Sequence, residues 1–142
     1  MSNLPVGIEQ ILGVGTYKRQ NRAEVHEALI RLGVAVSDTF REFYNKYSGP
    51  FWEEDVPFEL LDIVEEKNNI ESYTLISRKE HGWPKQFLVL SEMSTNAVLV
   101  LDTITDKVYK VNFEGGDELL IQGELKETWV TFQDFLKEYF NC

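Results

Sequence analysis

The chain has 142 residues, 43 % of them hydrophobic and 13 % aromatic, enough for one buried core and too apolar for an intrinsically disordered chain. Lys and Arg number 14 against 24 Asp and Glu, a formal net charge of -10, which repels nucleic-acid backbones and anionic membranes and favours a basic or neutral protein partner. The single cysteine, Cys142, excludes an intrachain disulfide, no run of about 18 apolar residues is present to span a bilayer, and residues 1–10 lack the basic start and apolar stretch of a secretory signal, so a cytoplasmic protein is expected.

Asn3 followed by Pro5 suits a helix start, and Leu4, Ile8, Ile11 and Leu12 then fall at helical spacing before Gly13. A second helix is expected from Asn21, with Glu24 as reciprocal cap and Val25, Ala28, Leu29 and Leu32 on one face before Gly33. A third starts at Ser37 and spaces Phe40, Phe43, Tyr44 and Tyr47 along one face; Gly49 and Pro50 close it. Phe58 to Ile63 reads as a strand. Glu65 to Lys79 is ambiguous, with a weak helical pattern at Ile70, Tyr73 and Ile76, and His81, Gly82, Trp83 and Pro84 break the chain. Three β segments follow, Gln86 to Ser91, Asn96 to Asp102 and Lys107 to Phe113, joined by turns short enough for an antiparallel meander. Gly115 and Gly116 make a turn that needs positive φ, and Leu119 to Gln122 are placed as an added edge strand. Thr131 caps a last helix whose Phe132, Phe135, Leu136, Tyr139 and Phe140 form a broad apolar face. The expected fold class is α+β: an antiparallel sheet with N-terminal helices and a C-terminal helix packed on it. A single domain over residues 1–142 is expected, with the helix and turn of residues 1–20 at its periphery.

The charge is concentrated. Between Glu53 and Glu71 eight acids stand against Lys67 alone, so seven of the ten net negative charges fall in 19 consecutive residues. That stretch opens directly after Phe51 and Trp52 and encloses Phe58. Rings beside like charges suit a contact surface, because rings anchor interfaces while charges steer an oppositely charged partner inward. Phe51, Trp52 and Phe58 are therefore candidate anchors, with Glu53, Glu54, Asp55, Glu59 and Asp62 as the surrounding field. A solvated acidic loop, with Trp52 and Phe58 packed under the sheet, is the competing reading.

Catalytic, cofactor and metal motifs are not found. Gly13, Val14 and Gly15 lack both a third dinucleotide-spaced glycine and the lysine end of a phosphate loop. His26 and His81 have no partner at zinc-ligand spacing and read as surface residues. Asp102 and Asp106 flank a turn and read as turn chemistry. No Ser sits in a nucleophile elbow, and Cys142 lies in a terminus that should fray. No catalytic residue, cofactor or metal is expected, and Trp83 and Trp129 read as core or turn packing.

The order of the pieces supports a comparison with a family. Leu29 to Pro50, reading LIRLGVAVSDTFREFYNKYSGP, then PKQFLVL from Pro84, NAVLVLDT, DKVYKV and TFQDFLKEYF, resemble in sequence the SUKH superfamily, the group containing the yeast Smi and Knr cell-wall regulators and many bacterial toxin-immunity proteins. Where that family usually has Leu-Pro this chain has Ala35 and Val36. The resemblance covers the chain from about Asn21 onward. It implies a non-catalytic protein that occludes a bacterial toxin, a nuclease with a basic cleft being the partner the charge favours. The yeast members imply a second reading, a regulatory scaffold domain with no toxin partner. A small enzyme without a recognisable motif is the third.

Overall fold

The computed structural model of the chain describes residues 4–13, 17–53, 56, 58–64, 68–92 and 96–142. Among them are helices α1 (Ile8–Leu12), α2 (Ala23–Leu32), α3 (Asp38–Lys46), α4 (Ile70–His81), α5 (Gly116–Gln122) and α6 (Phe132–Tyr139), and strands β1 (Phe87–Val89), β2 (Ala97–Asp102) and β3 (Val108–Asn112). The strands form one antiparallel sheet in the order β1-β2-β3. The fold is α+β, as the sequence predicts.

Local chemistry explains most boundaries. Ser37 accepts a hydrogen bond from the Phe40 amide at the start of α3, and Thr131 accepts one from the Asp134 amide at the start of α6, each satisfying an amide that the helix leaves free. Gly33 ends α2 in the left-handed region at φ 71°, where an L side chain is strained. The start of α2 departs from expectation: Arg22 holds the cap position, and the Asn21 side chain instead accepts from the Ala23 amide at 3.1 Å. The ambiguous stretch before the sheet resolves as α4. Asn69 and Ser72 form a reciprocal capping box there, and Gly82 closes the helix at φ 65°. Its weak pattern has a cause: Ile70 and Thr74 are buried while Leu75 and Ile76 are exposed. The Thr74 hydroxyl accepts from the Val89 amide at 2.9 Å and so pins α4 to β1.

The sheet is buried on both faces. Alternation sends Leu88, Leu99, Leu101 and Val108 into the main core and Phe87, Val89, Val98, Val100, Tyr109 and Val111 into a second apolar layer. This accounts for the unbroken apolar run of β2. The second layer is covered by Trp83 and by Leu120 of α5. Here the sequence reading is corrected, because Leu119 to Gln122 belong to a helix and not to an edge strand. Gly115 (φ 118°) and Gly123 (φ 76°) bracket that helix, which turns Leu120 inward and leaves Leu119 and Ile121 exposed.

Phe58 to Ile63 is likewise not a regular strand. Leu60 makes isolated bridges to Phe51 and Ser91, and Leu60, Leu61, Asp62 and Ile63 are all buried, so the alternation of a half-exposed strand is absent. The main core is aromatic where α3 meets α6, with Phe40 and Phe132 centroids 5.1 Å apart and Phe43 and Phe140 6.0 Å apart. Leu4, Ile8 and Leu12 join the same core, and the Tyr47 hydroxyl donates to Glu9 of α1 at 2.5 Å. The N-terminal helix expected at the periphery is thereby packed into the body of the fold.

Candidate functional site

The candidate contact segment is pinned at its base. Phe51 and Leu60 exchange two backbone hydrogen bonds, at 2.8 and 3.0 Å. The Tyr139 hydroxyl of α6 accepts from the Leu60 amide at 3.1 Å and lies within donating distance of the Phe51 and Phe58 carbonyls, at 3.0 and 2.8 Å. The closing helix therefore holds both ends of the acidic loop.

That closure divides the eight predicted contact residues. Phe51 is fully buried, with Phe43 and Phe140 ring centroids 5.1 and 5.9 Å away. Phe58 is also buried. Asp62 is buried and accepts from Arg19, from the Gly49 amide at 3.0 Å and from the Val64 amide at 3.2 Å. All three are buried in the domain, where the sequence places them at a contact surface, and Phe58 also lines the groove against α6. The rings lose apolar area to water by turning inward, and the Asp62 carboxylate answers a buried guanidinium and two backbone amides. Trp52 is 63 % exposed, and Glu53 and Glu59 are partly exposed. Glu54 and Asp55 lie outside the described residues.

Negative charge accumulates at this face. Burial, reinforced by the Glu92 carboxylate, raises the Glu59 carboxyl above its ordinary value. Burial also pushes the Tyr139 phenol well up, and Glu53 and Glu59 add to that shift. Tyr73 is raised in the same sense by burial and by Glu92. Such shifts are the expected response to like charges gathered in a poorly solvated corner.

Beside the loop lies a groove of about 540 Å³ between Glu53, Val56 and Phe58 on one side and Trp129 and α6 on the other. Leu99, Phe135 and Tyr139 line its interior, and Glu53, Glu138 and Lys110 are its charged groups. The Trp129 indole N–H donates to Glu138, and Trp129 meets Phe135 edge-on at 5.0 Å. The Lys110 ammonium stands 5.8 Å from the Phe58 ring centroid. Glu59 and Glu92 are not among the groove's lining residues.

Sequence reasoning missed Trp129, Glu138 and Lys110 as members of one site. One signal was available: Lys110 shares the inward side of β3 with Val108, opposite Leu99, and a cation at an inward strand position marks an opening in the core. The other separations carry no local pattern.

The remaining titratable groups have structural surroundings. The Asp102 carboxylate accepts from Gln86 at 3.2 Å and from the Ile104 amide at 2.9 Å, and Asp106, at φ 67°, accepts from the Phe132 amide at 3.2 Å. Both are turn and cap chemistry. His26 and His81 are exposed. Among the described residues no cluster of three His, Cys, Asp or Glu is placed to hold a metal ion, and no helix is long and apolar enough to cross a membrane.

The family model described as SMI1 / KNR4 family (SUKH-1) matches residues 21–138, from the turn before α2 into the last turn of α6. The chain belongs to the SMI1 / KNR4 family. Set beside curated proteins, it matches none. The SUKH-1 match takes in the sheet, the acidic loop and most of the groove wall. Membership in the SUKH-1 family is consistent with a toxin-immunity role exercised by binding a protein partner.

Proposed function

We propose that this SUKH-1 domain is a non-catalytic immunity protein that acts in the cytoplasm and neutralises a basic toxin domain, a nuclease, in a stoichiometric complex. The observation that carries the proposal is Trp52, held 63 % exposed at the mouth of the most acidic stretch while the adjacent Phe51 is fully buried. An indole left in water next to Glu53 in the chain is a ready anchor, since Trp dominates interface energetics when a partner desolvates it. The acidic field supplies the complementary half. Nuclease clefts must approach phosphate and tend to be basic, so a concentrated negative face raises the encounter rate by electrostatic steering. Glu54 and Asp55 extend that field in sequence.

The test begins with co-purification of the chain from its native cells and identification of the bound protein. The expected partner is a basic domain whose nuclease activity disappears at equimolar inhibitor. A basic cellular protein without toxic activity would replace the immunity reading with the scaffold reading. Stopped-flow association then examines the face: Glu53, Glu54 and Asp55 changed together to Lys should slow association at low salt by about tenfold or more and flatten its salt dependence. Trp52→Ala should weaken the complex by about 2 kcal/mol or more, through faster dissociation. Unchanged kinetics in both variants removes this face from the interface.

A further inference from the structure

We infer that the groove between the acidic loop and α6 is a receptor for an arginine side chain presented by the protein partner. The inference rests on the reading that this face receives a basic protein, and it specifies the group recognised there.

Three features of the groove select a planar cation. Of its lining rings Phe135 is fully buried, so the rings offered to a cation are the half-buried Trp129 indole and Phe58, over which the Lys110 ammonium already stands; aromatic faces attract guanidinium groups by their quadrupole. Its acceptors are the carboxylates Glu53 and Glu138, which suit the forked donors of arginine better than the compact ammonium of lysine. Its volume of about 540 Å³ falls within the range of about 300–1,000 Å³ common for ligand sites.

The fourth feature is an occupant already present. Lys110 places its ammonium 5.8 Å from the Phe58 centroid and lines the groove, so the protein's own cation uses the aromatic wall that a partner's guanidinium would use. Lys110 is exposed and its long stem is free to swing aside when a better cation arrives. In the free domain it offsets part of the negative charge of Glu53 and Glu138; in the complex it competes with the incoming arginine. Lys110 is therefore a built-in competitor, and removing its charge should improve binding of a cationic probe.

The test uses the full chain and a small probe, so that it does not depend on the partner. Nitrogen-15-labelled protein is titrated with a blocked glycine-arginine-glycine tripeptide and with its lysine and glutamate counterparts, following the indole N–H signals. The arginine peptide should move the Trp129 signal saturably, because its guanidinium competes for Glu138. The Trp83 indole, buried in the second apolar layer, should stay still. Lys110→Gln should tighten arginine binding by about three- to tenfold, and Glu138→Gln should weaken it by about tenfold. No saturable movement of Trp129, equal affinity for the lysine peptide, or unchanged affinity in Lys110→Gln overturns the inference. Loss of peptide binding together with a retained effect of the Glu53, Glu54 and Asp55 reversal on the partner would discard the arginine site and keep the acidic face. The opposite pattern would keep the site and discard the partner reading.

Discussion

Replacing Asp62 with Ala should destabilise the domain by about 3–5 kcal/mol, the range for breaking one side of a buried ion pair. The structure places the full cost here. The Arg19 and Asp62 side chains are only 4 % and 3 % exposed, so water cannot take over the lost interaction. Asp62 also accepts from the Gly49 and Val64 amides, and both amides lose that acceptor with the carboxylate. Arg19 would keep the Tyr44 and Tyr47 carbonyls as acceptors but no counter-charge. With an unfolding entropy of about 2.1 cal/mol/K per residue, 142 residues give about 0.3 kcal/mol/K, so the Tm should fall by about 10–17 °C. Against a typical total stability of about 5–15 kcal/mol, that leaves a domain near its threshold. Urea unfolding followed by tryptophan fluorescence, paired with a thermal scan by circular dichroism, measures both quantities. The double variant Arg19→Met with Asp62→Leu should recover part of the loss, because no charge is left stranded. At temperatures well below the lowered midpoint, Asp62→Ala should associate with the partner at the wild-type rate. A stability loss under about 1 kcal/mol would refute the buried-pair account, and a slowed association with intact stability would return Asp62 to the interface.

Tyr139→Phe should cost about 1–2 kcal/mol, since the hydroxyl's single proton no longer reaches the Phe58 or Phe51 carbonyl, while the Leu60 amide and the Phe51 carbonyl keep their mutual hydrogen bond. The same urea titration measures that loss, and a cost within experimental error would show that the loop ends are held by their own backbone pairing. Glu59→Gln has a pH signature. Its folded-state value is raised by burial and by Glu92, so the native state holds more protons and stability falls as pH rises through the raised value. The neutral amide removes that burden, giving a gain at pH 7 of about 0.5 kcal/mol or less after solvent screening. That gain should vanish below about pH 4, where the carboxyl is protonated in both states. Urea midpoints at the two pH values check it, and a gain that grows toward acid would reverse the assigned sign.

What the sequence by itself determined is local in the chain. Ser37 and Thr131 announced their helices because a capping side chain reaches an amide three residues away. The meander was legible because its turns are short and its strands are apolar, and the ordered set of these pieces pointed to the SUKH family that the match over residues 21–138 establishes. The concentration of acids after Trp52 was equally plain, because charge is additive along a chain. What only the tertiary structure decided is the side to which each residue of that acidic segment turns. Phe51 and Trp52 are neighbours with similar appetites for burial, yet Phe51 fills the gap between Phe43 and Phe140 while Trp52 stands in water. Asp62 looks in sequence like its acidic neighbours, and only the approach of Arg19 from 43 residues away makes it an interior counter-ion. Leu119 to Gln122 had too few residues for either period to declare itself, and the second apolar face of the sheet settled the matter, because α5 turns Leu120 onto it. The groove is the furthest from sequence: Glu53, Lys110 and Trp129 meet only once α6 closes over the sheet, because a site assembled from distant segments exists in the packing and in no single stretch of chain.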